Sequence, residues 1–136
     1  MITYKNNIFH IQGDGFSSLM RINQYGQLEQ LHFGEEVEME DVQALEYHTG
    51  LGWGSSILLD DNDPASCPDV IPYAWSENGR GDYRESPIEI GRSTQFKYKC
   101  HKIYKGIAPM KCTLPQAKGE CETLEIPNVL SMNNKV

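Results

Sequence analysis

Apolar and polar positions alternate in short runs along much of this chain, and the runs are separated by glycine turns. Ile8 and "FHI" lead into "GDG"; "SSLMRINQ" follows, then a "YG" turn, then "QLEQLHFG". Two turns joining three short runs predict a β-meander. Leu28, Leu31 and Phe33 break strict period two, but the segment is too short and too tightly bounded by glycine for a stable helix. Further on, Phe96, Tyr98 and Cys100 alternate with Lys97, Lys99 and His101, the pattern of a strand with one buried face and one wet face. Ile103 falls out of that parity, which predicts a β-bulge or strand end near Lys102 that turns it inward. "PIEIG" and "ETLEI" supply two more alternating strands, and Pro127 predicts that the last strand ends early.

Residues 35–85 are different: acidic, glycine-rich and weakly periodic. We read them as one long acidic loop within a single domain spanning 1–136. Only "DVQALEYH" suits a turn or two of helix, and "SSILLD" and "DVIPYAW" have residue types that suit short strands. A connection this long in a compact domain is usually a binding loop or lid.

Length and composition set the outer limits. The chain has 136 residues, 39% apolar and 23% charged, which fits one globular domain and excludes a multidomain machine. No apolar run approaches the ~20 residues needed to cross a bilayer, and "MITYKNNIFHIQ" lacks the order of a signal peptide, so the expected location is cytoplasmic, with no membrane partner. Cys67, Cys100, Cys112 and Cys121 form no C-x-x-C pair and are expected as free thiols. His10, His32, His48 and His101 stand alone, so neither a metal site nor a cofactor is expected.

Charge is lopsided. The net charge is −7, yet no Lys or Arg lies between Ile22 and Gly79, and nine of the twelve basic residues fall between Arg80 and Lys118. The two halves are expected to attract each other. In "FKYKCHKIYKG" the lysines sit at strand spacing and no nucleic-acid module surrounds them, so a solvated strand face is expected and nucleic acid is not.

The stretch "ENGRGDYRESPIEI", residues 77–90, concentrates several signals. Arg80-Gly81-Asp82 has the letters of an adhesion tripeptide, but a chain without an export signal does not meet such a receptor. The residues suit a structural corner instead. Gly79 and Gly81 allow positive φ, Asp82 and Arg84 carry opposite charges that can brace a bend, Pro87 suits the first position of an edge strand, and Tyr83 is expected against the core. "DDNDPAS" has oxygen donors of the kind calcium takes, but not the glycine and glutamate spacing of an EF-hand, so a turn or capping role is expected.

The order "SSLMRINQYGQLEQLHFG", acidic loop, "GRGDYRESPIEI", "FKYKCHKIYKG", "LP" and "ETLEI" resembles the N-terminal domain of the family 36 glycoside hydrolases, chiefly bacterial α-galactosidases. The resemblance runs from about Ile8 to Ile126 and is sharpest at Gly79, Gly81, Asp82, Tyr83, Arg84 and Pro87, with "HKIYKG" and Leu114-Pro115 as a second match. "IAPMKCTLP" departs from the family pattern and leaves Thr113 where glycine is usual.

The resemblance implies an all-β, antiparallel β-sandwich, part of a larger β-supersandwich, that precedes a catalytic (β/α)8 barrel. A barrel needs ~250 residues, which 136 cannot contain. The retaining reaction needs two carboxyl groups about 5 to 5.5 Å apart, and adjacent acids such as Glu35 with Glu36 read as solvated loop charges. The implied role is a scaffold and subunit-contact domain of an α-galactosidase, inactive by itself, in a homo-oligomer. In tetrameric relatives the loop reaches toward a neighbour's sugar pocket. Here that stretch would offer Trp53 for stacking and Asp60, Asp61 and Asp63 for hydroxyl groups of an α-galactoside, although packing under the loop suits Trp53 equally well. The alternative from another class is a stand-alone carbohydrate-binding module that uses the Trp53 loop.

Overall fold

The computed structural model describes residues 1–47, 49, 57–76, 81–87, 94–107 and 119–132. Four strands, β1 (Ile2–Lys5), β2 (Ile8–Gln12), β3 (Phe16–Ile22) and β4 (Leu28–Glu35), form an antiparallel meander in that spatial order. It has one strand more than the sequence pattern predicts. Lys5 pairs with Ile8 across Asn6 and Asn7, both with positive φ (53° and 63°), so the extra strand enters through a two-residue turn. Asparagine tolerates that backbone region, and the tight turn matches the twist of its flanking strands.

The β3–β4 connection is a hydrogen-bonded turn. Asn23 Oδ1 accepts from the backbone N–H groups of Tyr25 (3.0 Å) and Gln27 (2.9 Å), and Gly26 takes φ +80°. The β3–β4 register slips between Leu19 and Met20, so Leu31 has no partner opposite it. This bulge accounts for the broken period at Leu28, Leu31 and Phe33.

Alternation puts Phe9 and Leu19 on opposite faces of the meander, and both are fully buried. Over the Phe9 face lies an antiparallel ribbon. In it β5 (Thr94–Tyr98) pairs with β8 (Asn128–Met132), and β6 (Lys102–Lys105) pairs with β7 (Glu122–Glu125). Phe9 meets Tyr4, Tyr98 and His101 at ring separations of 4.7, 6.3 and 5.0 Å. The Tyr98 N–H donates to Gly26 O at 2.7 Å, and the Ile2 N–H to Glu122 Oε2 at 2.6 Å, which tie ribbon to meander. Two β layers facing across aromatic side chains make a nearly all-β, antiparallel sandwich.

The ribbon departs from the sequence reading in three places. Its register steps by one residue between the Tyr98–Asn128 and Lys102–Glu125 pairs, the irregularity predicted near Lys102, yet Ile103 remains 37% exposed and does not turn inward. Cys100 sits in the break and is exposed, whereas Phe96 and Tyr98 are half-buried. "ETLEI" is not the final strand, because β8 begins directly after Pro127. Lys97, Lys99, Lys102 and Lys105 are exposed. Residues 88–91 of "PIEIG" lie outside the described set.

The opposite face is covered by the acidic segment. A 3-10 turn (Met39–Asp41) runs into α1 (Val42–Leu45), where Val42 is buried, and the Val37 N–H donates to Ser17 Oγ at 3.2 Å. Pro72 to Ala74 then run beside β4: Gln30 N–H donates to Pro72 O, Ala74 N–H to Leu28 O, and Glu29 forms a β-bridge with Tyr73. "DVIPYAW" therefore holds a short strand-like edge inside what reads as a loop. Among the described residues no helix is long and apolar enough to cross a membrane.

Candidate functional site

The β3–β4 hairpin and the acidic segment enclose a cleft of about 330 Å³, lined by Arg21, Tyr25, Glu29, Asp63 and Ile71 among others. Arg21 and Glu29 face each other because the register pairs them directly. The Arg21 guanidinium donates to Glu29 Oε2 at 2.7 Å and forms a second ion pair with Glu46, just beyond α1. Asn23 Nδ2 donates to the other Glu29 oxygen at 3.0 Å, so a carboxylate only 2% exposed is held by charge and amide together. Burial works to lower the Arg21 pKa, but hydrogen bonds and charge from Glu29 and Glu46 outweigh it, and the net direction is upward.

On the other wall, the Tyr25 hydroxyl donates to Asp63 Oδ2 at 2.8 Å, and Gln24 Nε2 donates to the same oxygen at 3.3 Å. Loss of solvent and the Asp63 hydrogen bond raise the Tyr25 pKa above its ordinary value near 10. Asp63 is built into its own loop as well. Its Oδ1 accepts the Ala65 N–H at 3.0 Å, Asp60 Oδ1 accepts the Asn62 N–H at 2.9 Å, and buried Ser66 exchanges hydrogen bonds with the Asp60 backbone at both N and O, each 3.0 Å. Asp60 and Asp63 thus shape "DDNDPAS" as turn residues, while Asp61 points into solvent.

The 81–87 corner is braced from behind. Arg84 Nε donates to Asp82 Oδ1 at 2.8 Å and Nη2 to Asp82 Oδ2 at 3.1 Å, a two-pronged fork. The same guanidinium donates to Ile71 O (2.7 Å) and Pro68 O (2.9 Å) and lies 5.0 Å from the centre of the Tyr73 ring. Gly81 has φ +84°, and a Cβ there would sit 2.9 Å from Ile57 Cβ. Tyr83 is 75% exposed, which corrects the expectation that it packs on the core: Gly81 and the Arg84 fork turn Asp82 inward and its neighbour out. Pro87 is exposed. Trp53, Gly79 and Leu114-Pro115 lie outside the described residues.

Two members of this constellation escape a sequence reading. Glu29 sits between Leu28 and Gln30 like any solvent-facing strand residue, and Tyr25 looks like turn filler. The signal for the first was available: a hairpin turning at "YG" sets Arg21 opposite Glu29. The Tyr25–Asp63 contact spans 38 positions and had no such local signal.

The comparisons with known proteins agree with this geometry. The chain is 28% identical over 126 residues to the α-galactosidase AgaA of Geobacillus stearothermophilus, an alignment covering 87% of the chain and 17% of that enzyme. A crystal structure of that AgaA superposes with a TM-score of 0.75 at 26% identity, over 90% of this chain and 18% of the other. The galactosidase domain of the α-galactosidase-sucrose kinase AgaSK superposes with a TM-score of 0.82 over 98% of this chain and 20% of the other, which at 23% identity speaks for fold alone. The chain thus spans about a fifth of the length of these relatives. The family model for the glycosyl hydrolase family 36 N-terminal domain matches residues 26–129, which include Glu29, Asp63 and the Arg84 corner and begin just after Arg21 and Tyr25, and the chain belongs to that family.

Proposed function

We propose that this chain acts as the scaffold and subunit-contact domain of an α-galactosidase-type glycoside hydrolase, in a homo-oligomer whose parent reaction is hydrolysis of terminal α-galactosides. The observation that carries this reading is how the cleft and corner carboxylates are used. Glu29, Asp63 and Asp82 each accept hydrogen bonds from groups that fix a turn, a loop or a corner. A glycosidase pair instead needs one carboxyl group free to protonate the leaving oxygen and a second free to attack. Carboxylates saturated by guanidinium, amide and backbone donors serve shape, and shape is what a contact domain supplies.

The test is sedimentation of the purified chain with and without galactose and raffinose, beside an assay with p-nitrophenyl α-galactoside. The reading expects a defined oligomer indifferent to both sugars and no release of nitrophenol. A strictly monomeric chain would remove the subunit-contact role, and turnover above background would remove the scaffold role. A sedimentation or melting shift on adding sugar would make the chain a ligand-binding module instead.

A further inference from the structure

Under the acidic segment lies a buried histidine that neither the cleft nor the corner uses. His10 of β2 is 3% exposed, and the register sets it opposite Leu19 of β3, which places His10, Leu19 and Ser17 on one face of the meander. His10 Nε2 stands 3.2 Å from Ser17 Oγ, and the same oxygen accepts the Val37 N–H at 3.2 Å. Ser17 is fully buried, so one enclosed hydroxyl joins the imidazole to the start of the acidic segment. Val37 follows β4 directly and leads to Val42, which is buried on the same side.

We infer that His10 and Ser17 form a proton-controlled joint, which holds the start of the acidic segment on the meander while the imidazole is neutral and loosens it when the imidazole is protonated. The reason is a count of protons. A serine hydroxyl has one proton to give and two lone pairs to accept with. With Nε2 unprotonated, Ser17 donates to Nε2 and accepts from Val37, and every group is used. With Nε2 protonated, both neighbours donate to Oγ, and the hydroxyl proton must turn away inside an enclosed site, where an unmade hydrogen bond is costly. The added positive charge is also poorly matched. Lys5 of β1, Arg21 of β3 and His32 of β4 share the His10 face by register. The carboxylates there are engaged elsewhere, Glu29 and Glu46 by Arg21 and Glu36 by the Gln12 amide at 3.4 Å, while Glu35, Glu38 and Glu40 are exposed. Among the described residues His10 has no ion-pair partner. His32 is the natural control, because its Nε2 meets the Glu35 carbonyl oxygen at 2.7 Å, an acceptor that serves neutral and charged imidazole alike. The joint lies within one chain and does not depend on the subunit-contact reading.

The experiment is hydrogen–deuterium exchange by mass spectrometry on the full chain between about pH 7.5 and about pH 5.0, the range in which histidine titrates. Each rate is divided by the intrinsic chemical rate at that pH, for the parent, His10→Gln, His32→Gln and Ser17→Ala. A glutamine amide can meet Ser17 but does not titrate. One proton shifts a local opening equilibrium by at most about ten-fold per pH unit, so residues 36–47 of the parent should open about ten-fold more readily at the acid end, with residues 122–132 unchanged. His32→Gln should keep that response and His10→Gln should lose it. Ser17→Ala should open 36–47 already at the neutral end, since the Val37 anchor is gone. A parent without the response, or His10→Gln with it, overturns the joint. Altered exchange at 122–132 in His10→Gln would mark a folding defect, and carbon-13 NMR of the parent imidazoles then decides. The titration midpoint of His10 must coincide with the opening of 36–47, and an opening that follows another histidine, or none, overturns the joint.

Discussion

Removing the Arg84 guanidinium by Arg84→Ala tests whether the corner is an electrostatic brace. The substitution deletes two bonds to Asp82, two to the carbonyls of Ile71 and Pro68, and the contact with the Tyr73 ring. It leaves behind an Asp82 carboxylate that is 6% exposed and has lost its charged partner, with the backbone N–H of residue 84 at 3.1 Å among the donors it keeps. Breaking a buried pair from one side costs ~3–5 kcal/mol, most of it the stranded charge. Arg84 is itself 36% exposed and water replaces part of what it gives, so the expected loss is about 2–3 kcal/mol. Against a total stability of ~5–15 kcal/mol, that loss is readily measured.

Urea unfolding of four chains, the parent, Arg84→Ala, Asp82→Ala and the double variant, separates the causes. If the stranded carboxylate dominates, the double variant is more stable than Arg84→Ala by about 1–2 kcal/mol, although it has lost more atoms. Arg84→Lys should fall between, because an ammonium can reach Asp82 but cannot fork to it while also holding two carbonyls. An Arg84→Ala loss below about 1 kcal/mol, or a double variant at the plain sum of the singles, would refute the brace and leave the corner held by packing.

Three further outcomes follow from the geometry. Gly81→Ala should cost about 2 kcal/mol or more in a melting assay, since alanine resists φ +84° and its Cβ would lie 2.9 Å from Ile57 Cβ; adding Ile57→Ala should recover little, because alanine keeps that Cβ. Phe33→Ser should change stability by no more than about 1 kcal/mol, because Phe33 is 73% exposed and among the described residues its ring contact is the edge contact with Phe16 at 5.0 Å, and it should raise the concentration at which the chain precipitates. Burial chiefly raises the pKa of both Tyr25 and Tyr98. The folded state therefore holds those protons more tightly, and the associated stability, complete below about pH 10, is lost as pH rises through the folded values. Tyr25→Phe and Tyr98→Phe should flatten that alkaline decline, as read by urea midpoints between about pH 9 and pH 11.

The parts of this fold that were legible are those written in neighbouring residues. Alternation in β3 and β5, the glycine turns and the opposite charges of Asp82 and Arg84 all act over a few positions, so their order along the chain carries the information. β1 was missed although "NN" between "ITYK" and "IFHI" is a two-residue hairpin signal, because four residues show too little alternation to stand out. Tyr83 was misplaced because its aromatic ring alone suggested burial, while a positive-φ glycine at the corner sets which side chain turns inward. Contacts across long separations, such as Tyr25 with Asp63 or Tyr73 hydroxyl with Gln27 Oε1 at 2.9 Å, depend on how the acidic segment folds back, which no local pattern encodes.

That division bears on what the domain is built to do. Among the described residues, seven polar side chains are buried against five apolar ones, Phe9, Leu19, Val42, Cys67 and Ile71, so oil alone does not specify how the acidic segment lies on the meander. Apolar packing is weakly directional, and a segment held only by Val42, Cys67 and Ile71 could settle in several ways at similar free energy. A guanidinium that must satisfy Asp82, Ile71 O and Pro68 O at once accepts one arrangement. The same holds for Arg21 between Glu29 and Glu46. Such pairs add little net stability, since desolvation offsets most of their attraction, but any misplacement leaves a charge unmatched and is penalised. Geometry of this kind fixes how the acidic segment lies on the meander through Arg21, Glu29, Asp82 and Arg84 more than through the apolar core.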